Sequence, residues 1–503
     1  MIKKILLGML GAITLLVAIV IIRTLNYGNA QPYEAVTLPD VPAYDVNLAA
    51  RRVGEAIRFP TMTVASGDPR PGQEGPWLDF QAWMETTYPA FHAAANKEIV
   101  PGGYSVLYTW TGSDESLAPL MLMAHQDVVP VNIGTEGDWD APPFSGDIVD
   151  GYIYGRGAID NKGALVSQLE ALDALAKTGF APRRTILYLL GHDEEVSGSG
   201  AAAGVALLKS RGIAPVMALD EGLLGIEYNA MTGGPLALIG VAEKGYLTLR
   251  LTVTAQGGHS STPPQNSATV RLARALIALD ENQMPSDLSK EPVSTLFSSL
   301  GNEMPFLLRM AFANQWLFGG VIDSQMSQDP STNAMIRTTT APTMLAGSAK
   351  ENVLAQRASA IVNFRIHPND SEGDVLAHIQ RLTADIEGLS VTTAQQGIRG
   401  TGASPVSPLD NRPYAVLASV ADEMTNGAPV APGLVVGATD ARYATAITDS
   451  VYRFMPAVLD PSDLAGFHGT NERITVASID TMVRGYAQII LAMDRGDETQ
   501  AAP

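Results

Sequence analysis

Residues 185–195 read TILYLLGHDEE: an apolar run from Ile186 to Leu190, a Gly191-His192 turn, then three consecutive acids. An apolar run that ends abruptly in ionisable groups reads as a buried strand whose carboxyl end opens at a sheet edge. The pattern recurs on both sides. Leu120 to Ala124 (LMLMA) runs into His125-Gln126-Asp127, and Val216 to Leu219 runs into Asp220-Glu221-Gly222. Helical periodicity fills the intervals, at 163–177 and 201–210. Strand–helix alternation of this kind predicts a layered α/β sheet with a substantial parallel part, its functional groups gathered at the strand ends.

The pattern changes after Lys244. Leu247, Leu249, Leu251 and Val253 alternate with Thr248, Arg250, Thr252 and Thr254, the period of a half-buried strand. A helix is expected at about 267–280, a second alternating strand through Ala360, Val362, Phe364 and Ile366, a helix at 372–386 and a strand at 389–393. Together these predict an inserted α+β unit over 245–396, dividing the catalytic part into 46–244 and 397–496. The apolar stretch 285–326 is assigned to insert core or interface, with a pocket-lining or membrane-proximal role as the alternative. A helix at 413–424 returns to the first fold, and residues 497–503 form a polar tail.

At the N-terminus, Lys3 and Lys4 precede an uninterrupted apolar run from Ile5 to Ile22, closed by Arg23. At a helical rise its eighteen residues span about 27 Å, near the thickness of a hydrocarbon core. Two readings stand: a signal anchor over 1–28, or a signal peptide cut after Gly28-Asn29-Ala30. Either exports the remainder, to the periplasmic or extracellular side of a membrane or as a secreted protein. A linker follows over 29–45. The formal net charge of −19 argues against nucleic-acid partners. With no cysteine in the chain, a transition-metal site must use histidine and carboxylate.

One histidine and five carboxylates, His125, Asp127, Asp160, Glu194, Glu195 and Asp220, fall within about a hundred residues, most of them at strand ends. Converging carboxylates repel, and burial adds to the penalty; a divalent cation removes the conflict. Histidine plus carboxylate suits zinc in a catalytic site, and also cobalt or manganese. In His125-x-Asp127 the two side chains share one face of an extended segment, so the aspartate can orient the imidazole. Of the pair Glu194-Glu195, one carboxylate can bind metal while the other takes a proton from water.

The ordered segments MLMAHQDVVPV (121–131), PPFSGDIVDGYIYGRGAIDNKG (142–163), LLGHDEEVSGSGA (189–201), MALDEG (217–222), GGHSS (257–261) and FHGTNERI (467–474) resemble the co-catalytic dizinc aminoacylase and carboxypeptidase family, metallopeptidase family M-twenty. NAMIRTTTAPT, ASAIVNFRIHP, GATDARY and VYRFMP are similar to its carboxypeptidase S and N-fatty-acyl-amino-acid synthase/hydrolase branch. The resemblance implies a layered αβα zinc-peptidase domain carrying a ferredoxin-like lid or dimerisation insert. It implies two Zn2+ per chain, His125 and Asp220 on one, Glu195 and His468 on the other, with Asp160 bridging and a cis peptide at Asp160-Asn161. Asp127 would hold His125, Glu194 would be the general base, and His259 would polarise the substrate carbonyl, reaching the site from a partner subunit in many members. Arg442 and Asn352 match substrate-binding positions. The implied reaction is hydrolysis of an amide beside a free α-carboxylate, in N-acyl amino acids or short peptides, with a homodimer through the insert. A metal-dead envelope binding protein is the remote alternative, and the complete ligand set argues against it.

Overall fold

The computed structural model describes residues 2–28, 33–196, 198–394 and 401–495. Residues 29 and 30 of the candidate cleavage site and the tail 497–503 lie outside them.

Among the described residues the largest sheet has eight strands, in the order 96–99, 106–110, 186–191, 120–125, 217–229, 451–459, 234–243 and 430–435. Strand Leu120–His125 pairs in parallel with Ile186–Gly191 and with Met217–Asn229, which pairs in parallel with Val451–Leu459. The three apolar runs thus lie side by side and point the same way, so their polar ends emerge at one edge. Each is buried on both faces. Leu122, Leu190 and Leu219 join a core with helices Lys162–Lys177 and Val476–Arg495; Met121, Leu189 and Ala218 join a second core under helix Ser199–Ser210. This is the layered arrangement that continuous apolar strands predict.

A separate four-stranded antiparallel sheet has the order Thr339–Ala346, Arg357–Ile366, Gly245–Thr254 and Leu389–Thr393. Leu247, Leu249, Leu251 and Val253 pack with Ala360, Val362 and Phe364 beneath helices Ala268–Glu281 and Glu372–Leu382. Chain order βαββαβ with this strand order is the ferredoxin-like arrangement. Strand Thr339–Ala346 has no sequence signal. Its residues are half-buried to exposed without alternation, and Pro342 interrupts the register.

The apolar stretch 285–326, expected as insert core or interface, packs against the large sheet together with the helix that follows it. Together they form four short helices, Val293–Ser299, Phe306–Ala313, Gln315–Met326 and Pro330–Ile336. Their buried residues, among them Phe297, Phe312 and Ile322, cluster with Leu236 and Ala431 of the large sheet. Phe297 and Phe312 stack with ring centroids 4.2 Å apart. The N-terminal helix Ile2–Asn26, whose most apolar 18-residue stretch has mean hydropathy 3.0, is long and apolar enough to cross a membrane, a test that a signal sequence also passes.

Candidate metal centre

Three of the expected ligands leave the large sheet at its carboxyl edge or just beyond, and two come from loops. His125 ends its strand and is buried. Its Nδ1 lies 2.9 Å from the Asp127 carbonyl and 3.3 Å from the Asp127 carboxylate. With Nδ1 so placed as the donor, the lone pair of Nε2 points at Asp160 Oδ1, 2.9 Å away, and Glu221 Oε1, 3.2 Å away. On the other side of Asp160, Oδ2 lies 2.8 Å from His468 Nε2, which is itself 3.2 Å from Glu195 Oε2. Two clusters result, His125–Asp160–Glu221 and Asp160–Glu195–His468, each with one ligand atom per residue and all such atoms within 4.8 Å of one another. They share Asp160.

This corrects one expectation. The carboxylate beside His125 is Glu221, not Asp220. Consecutive residues of a strand project to opposite faces. Asp220 Oδ1 instead accepts from the backbone N–H of Glu221 at 2.9 Å; burial pushes its carboxyl up to about 6, with that hydrogen bond and then the charges of His125, Glu243 and Arg453 acting on it. Glu221 Oε2 also accepts from Asn161 Nδ2, behind the cis peptide Asp160-Asn161.

The donor set fits a pair of divalent cations. Tetrahedral zinc with bonds of ~2.0–2.1 Å has ligand–ligand edges of about 3.3 Å, close to the N···O separations seen here. Burial, then the charge of Asp160, pushes Glu195 and Glu221 each up to about 7. Hydrogen bonds that His468 donates to the carboxylates of Asp160 and Glu195 hold its imidazole up at about 10. The carboxylates resist sharing the space fully ionised unless positive charge, from a protonated histidine or a cation, stands between them. Among the described residues, Glu195 Oε1 and Asp220 Oδ2 are both buried with no hydrogen-bond partner, acceptors a cation could take.

Two further carboxylates brace the centre. Asp127 accepts from the backbone N–H groups of Glu194 and Glu195 at 3.0 and 3.2 Å and from Thr63 Oγ1 at 2.7 Å. It therefore ties the acidic turn to His125, a wider role than orienting the imidazole. Glu472, which sequence reasoning missed, is fully buried. One of its oxygens accepts from the backbone N–H groups of Gly157, Ile159 and Asp160, and the other pairs with Arg156 at 2.6 Å. Lying four residues beyond His468, it locks the loop of one ligand to the loop of the bridging one. His468 itself has φ +57, a left-handed conformation that non-glycine residues rarely adopt and that recurs at active sites.

Beside the cluster opens a cavity of about 510 Å³. Its walls include Asp160, Glu194, Glu195, Glu221, Arg442 and His468. Glu194 is pushed well above the usual carboxylate range by burial and then by Asp440. Arg442 lies 3.8 Å from Glu194, and its Nη1 donates to the Thr439 carbonyl at 2.7 Å. The small sheet contributes Tyr246 and Arg365, whose guanidinium lies 4.8 Å from the centre of the Tyr246 ring. Arg365 was missed, yet the alternation of its strand held the signal: Phe364 and Ile366 face the core, so Arg365 faces away from it.

His259 and Asn352 are not brought to this cavity. Both are exposed, at a small antiparallel pairing where Ser260 N–H donates to the Asn352 carbonyl at 3.1 Å. Of the remaining histidines, His192 shapes its turn by bonding Ser105 at 2.7 Å, and His378 is buried against Asn282 and Arg381.

With this geometry in hand, relatedness is informative. Peptidase family M20/M25/M40 matches over residues 121–492. The N-fatty-acyl-amino acid synthase/hydrolase PM20D1 of Xenopus tropicalis is 40% identical over 447 residues, 87% of this chain and 84% of that protein. Carboxypeptidase S of Saccharomyces cerevisiae is 30% identical, covering 86% of this chain and 81% of its own length. The M20 family metallo-carboxypeptidase Sso-CP2 from Sulfolobus solfataricus has the same fold, with a TM-score of 0.60 and 16% identity over 89% of this chain and 99% of that one. The chain belongs to peptidase family M20/M25/M40 and is a metal-dependent amidohydrolase of that family.

Proposed function

We propose that the protein hydrolyses the amide bond of N-acyl amino acids with hydrophobic acyl groups, using two zinc ions held by His125, Asp160, Glu195, Glu221 and His468. The observation that carries this reading is the composition of one cavity. The carboxylate–histidine cluster adjoins an apolar wall of Leu223, Leu434, Val435, Val436, Met455 and Phe467 and two guanidinium groups, Arg365 and Arg442. An acyl chain suits the wall, and a free α-carboxylate suits the guanidiniums. The 40% identity to an N-fatty-acyl-amino acid synthase/hydrolase supports the same substrate class.

Bound cations would supply Lewis-acid polarisation of the scissile carbonyl and a lowered pKa for water; cobalt or manganese are chemically suitable substitutes. The chain's own groups do the rest. Glu194 accepts a proton from the attacking water and delivers it to the amine nitrogen as the C–N bond breaks and the new C–O bond forms. Arg442, 3.8 Å from Glu194, steadies the ionised form of that base. Run in reverse, the same groups condense a fatty acid with an amino acid. His259 and Asn352, away from this cavity, fit a role in which a second copy of the chain presents them through the small sheet. The small sheet and its helices serve as lid. The first helix is read as an uncleaved anchor, with the enzyme on the exported side of the membrane.

The relation to carboxypeptidase S favours a second reading, release of C-terminal residues from short peptides. N-oleoyl-phenylalanine assayed beside a blocked dipeptide separates the two. The first reading expects the higher kcat/KM for the acyl amino acid, and preference for the dipeptide contradicts it.

A further inference from the structure

Helices Phe306–Ala313 and Gln315–Met326 expose Phe306, Leu307, Trp316, Leu317 and Val321, each between 46% and 71% accessible. Leu317 and Val321 are one helical turn apart on one face. A cluster of large apolar side chains on two consecutive short helices calls for an occupant. The N-terminal helix identifies it, because its last two turns are fastened to the same helices. Asn314, buried between them, donates to the Val20 carbonyl and to Thr24 Oγ1, both at 3.3 Å. Arg23 donates to the Ala313 carbonyl at 3.1 Å, and Arg309 to the carbonyls of Leu25 and Tyr27 at 3.1 and 2.6 Å. Gly28, at φ +85, lies so close to Gly301 that a side chain there would clash with backbone.

These bonds fix a depth. The apolar run of the first helix ends at Ile22, and the Asn314 contact at Val20 lies two residues, about 3 Å, inside that end. If residues 5–22 fill the hydrocarbon, the start of helix Gln315–Met326 sits at its outer boundary. The chemistry there suits that level. Trp316 is an interfacial aromatic, and Arg23 and Arg309 are cations at headgroup height. The one acid of helices 306–313 and 315–326, Asp323, is bonded to Arg337 and Ser286 at 2.5 Å each, although the whole chain carries −19.

We propose that helices Phe306–Ala313 and Gln315–Met326 form a second membrane contact, a monotopic foot that lies in the outer boundary of the bilayer beside the N-terminal anchor. This rests on the first helix being a membrane anchor. The foot adjoins the substrate cavity through one strand, Val430–Val435. Ala431 packs in the core of the foot, while Leu434 and Val435 line the cavity. An enzyme for long-chain amphiphiles is thereby held with a cavity wall braced against the membrane-seated helices.

The absence of cysteine makes site-specific labelling direct. Full-length Leu307→Cys, Val321→Cys, Leu15→Cys and Lys209→Cys proteins, each carrying an environment-sensitive fluorophore, are reconstituted in phosphatidylcholine vesicles whose acyl chains are brominated. Lys209 is exposed on helix Ser199–Ser210, which packs on strand Ile186–Gly191 five strands away from Val430–Val435 in the sheet order. The proposal expects loss of emission at positions 307, 321 and 15, with none at 209. Quenching at 15 without quenching at 307 and 321 overturns the foot and leaves the anchor standing. No quenching at 15 overturns the anchor and the foot with it. Protection of 307 and 321 from aqueous iodide without quenching by lipid overturns the proposal in favour of a second copy covering the face.

Discussion

Glu194→Gln is expected to lower kcat by about 10²–10⁴-fold, the range a positioned proton-transfer group contributes. Metal content and fold should be unchanged. The amide is nearly isosteric and keeps the backbone N–H that binds Asp127 at 3.0 Å, so the acidic turn stays closed. Only the ability to accept a proton is lost, together with an ion pair to Arg442 that is already long at 3.8 Å. Burial and the nearby carboxylates set Glu194 apart from an ordinary surface acid, as a group that holds and releases a proton must be. Steady-state kinetics beside metal analysis of the purified variant provide the check. Near-normal turnover would move the base elsewhere, and loss of metal would make Glu194 a ligand.

Glu221→Ala should have a comparably large effect by a different route. It removes a proposed ligand, so one cation per chain should weaken by more than the 10–100-fold typical of residues one layer farther out, that is, by more than about 100-fold. Activity should fall with it. Asp220→Asn, one residue away, should keep both ions, because its Oδ1 is engaged by the backbone N–H of Glu221 and its side chain belongs to neither cluster. Metal titration of the two variants in parallel distinguishes them. Retention of both ions by Glu221→Ala, with loss from Asp220→Asn, would restore the ligand set expected from sequence.

That ambiguity shows what the sequence conveyed and where it stopped. Three apolar runs ending in acids and histidine were enough to predict a layered sheet with its chemistry at one edge. Alternation from Leu247 to Val253 announced the half-buried small sheet. Within MALDEG, however, both carboxylates follow a strand buried on both faces: Leu219 packs in one core and Ala218 in the other. A strand with no wet side has no readable phase, so nothing local says which acid faces the centre. Glu472 was invisible for another reason. Its partners are mainly backbone N–H groups more than 300 residues earlier, which carry no sequence signature. Helices Phe306–Ala313 and Gln315–Met326 defeated periodicity because they bury apolar residues beside the large sheet and leave others exposed.

In the proposed site two cations share Asp160. Anomalous scattering at the zinc edge, from crystals of the full chain grown with zinc, tests it most directly. Two peaks are expected, one within bonding distance of His125 and Glu221, the other within bonding distance of Glu195 and His468, with an Asp160 oxygen on each. A single peak, or a peak coordinated by Asp220, would contradict it.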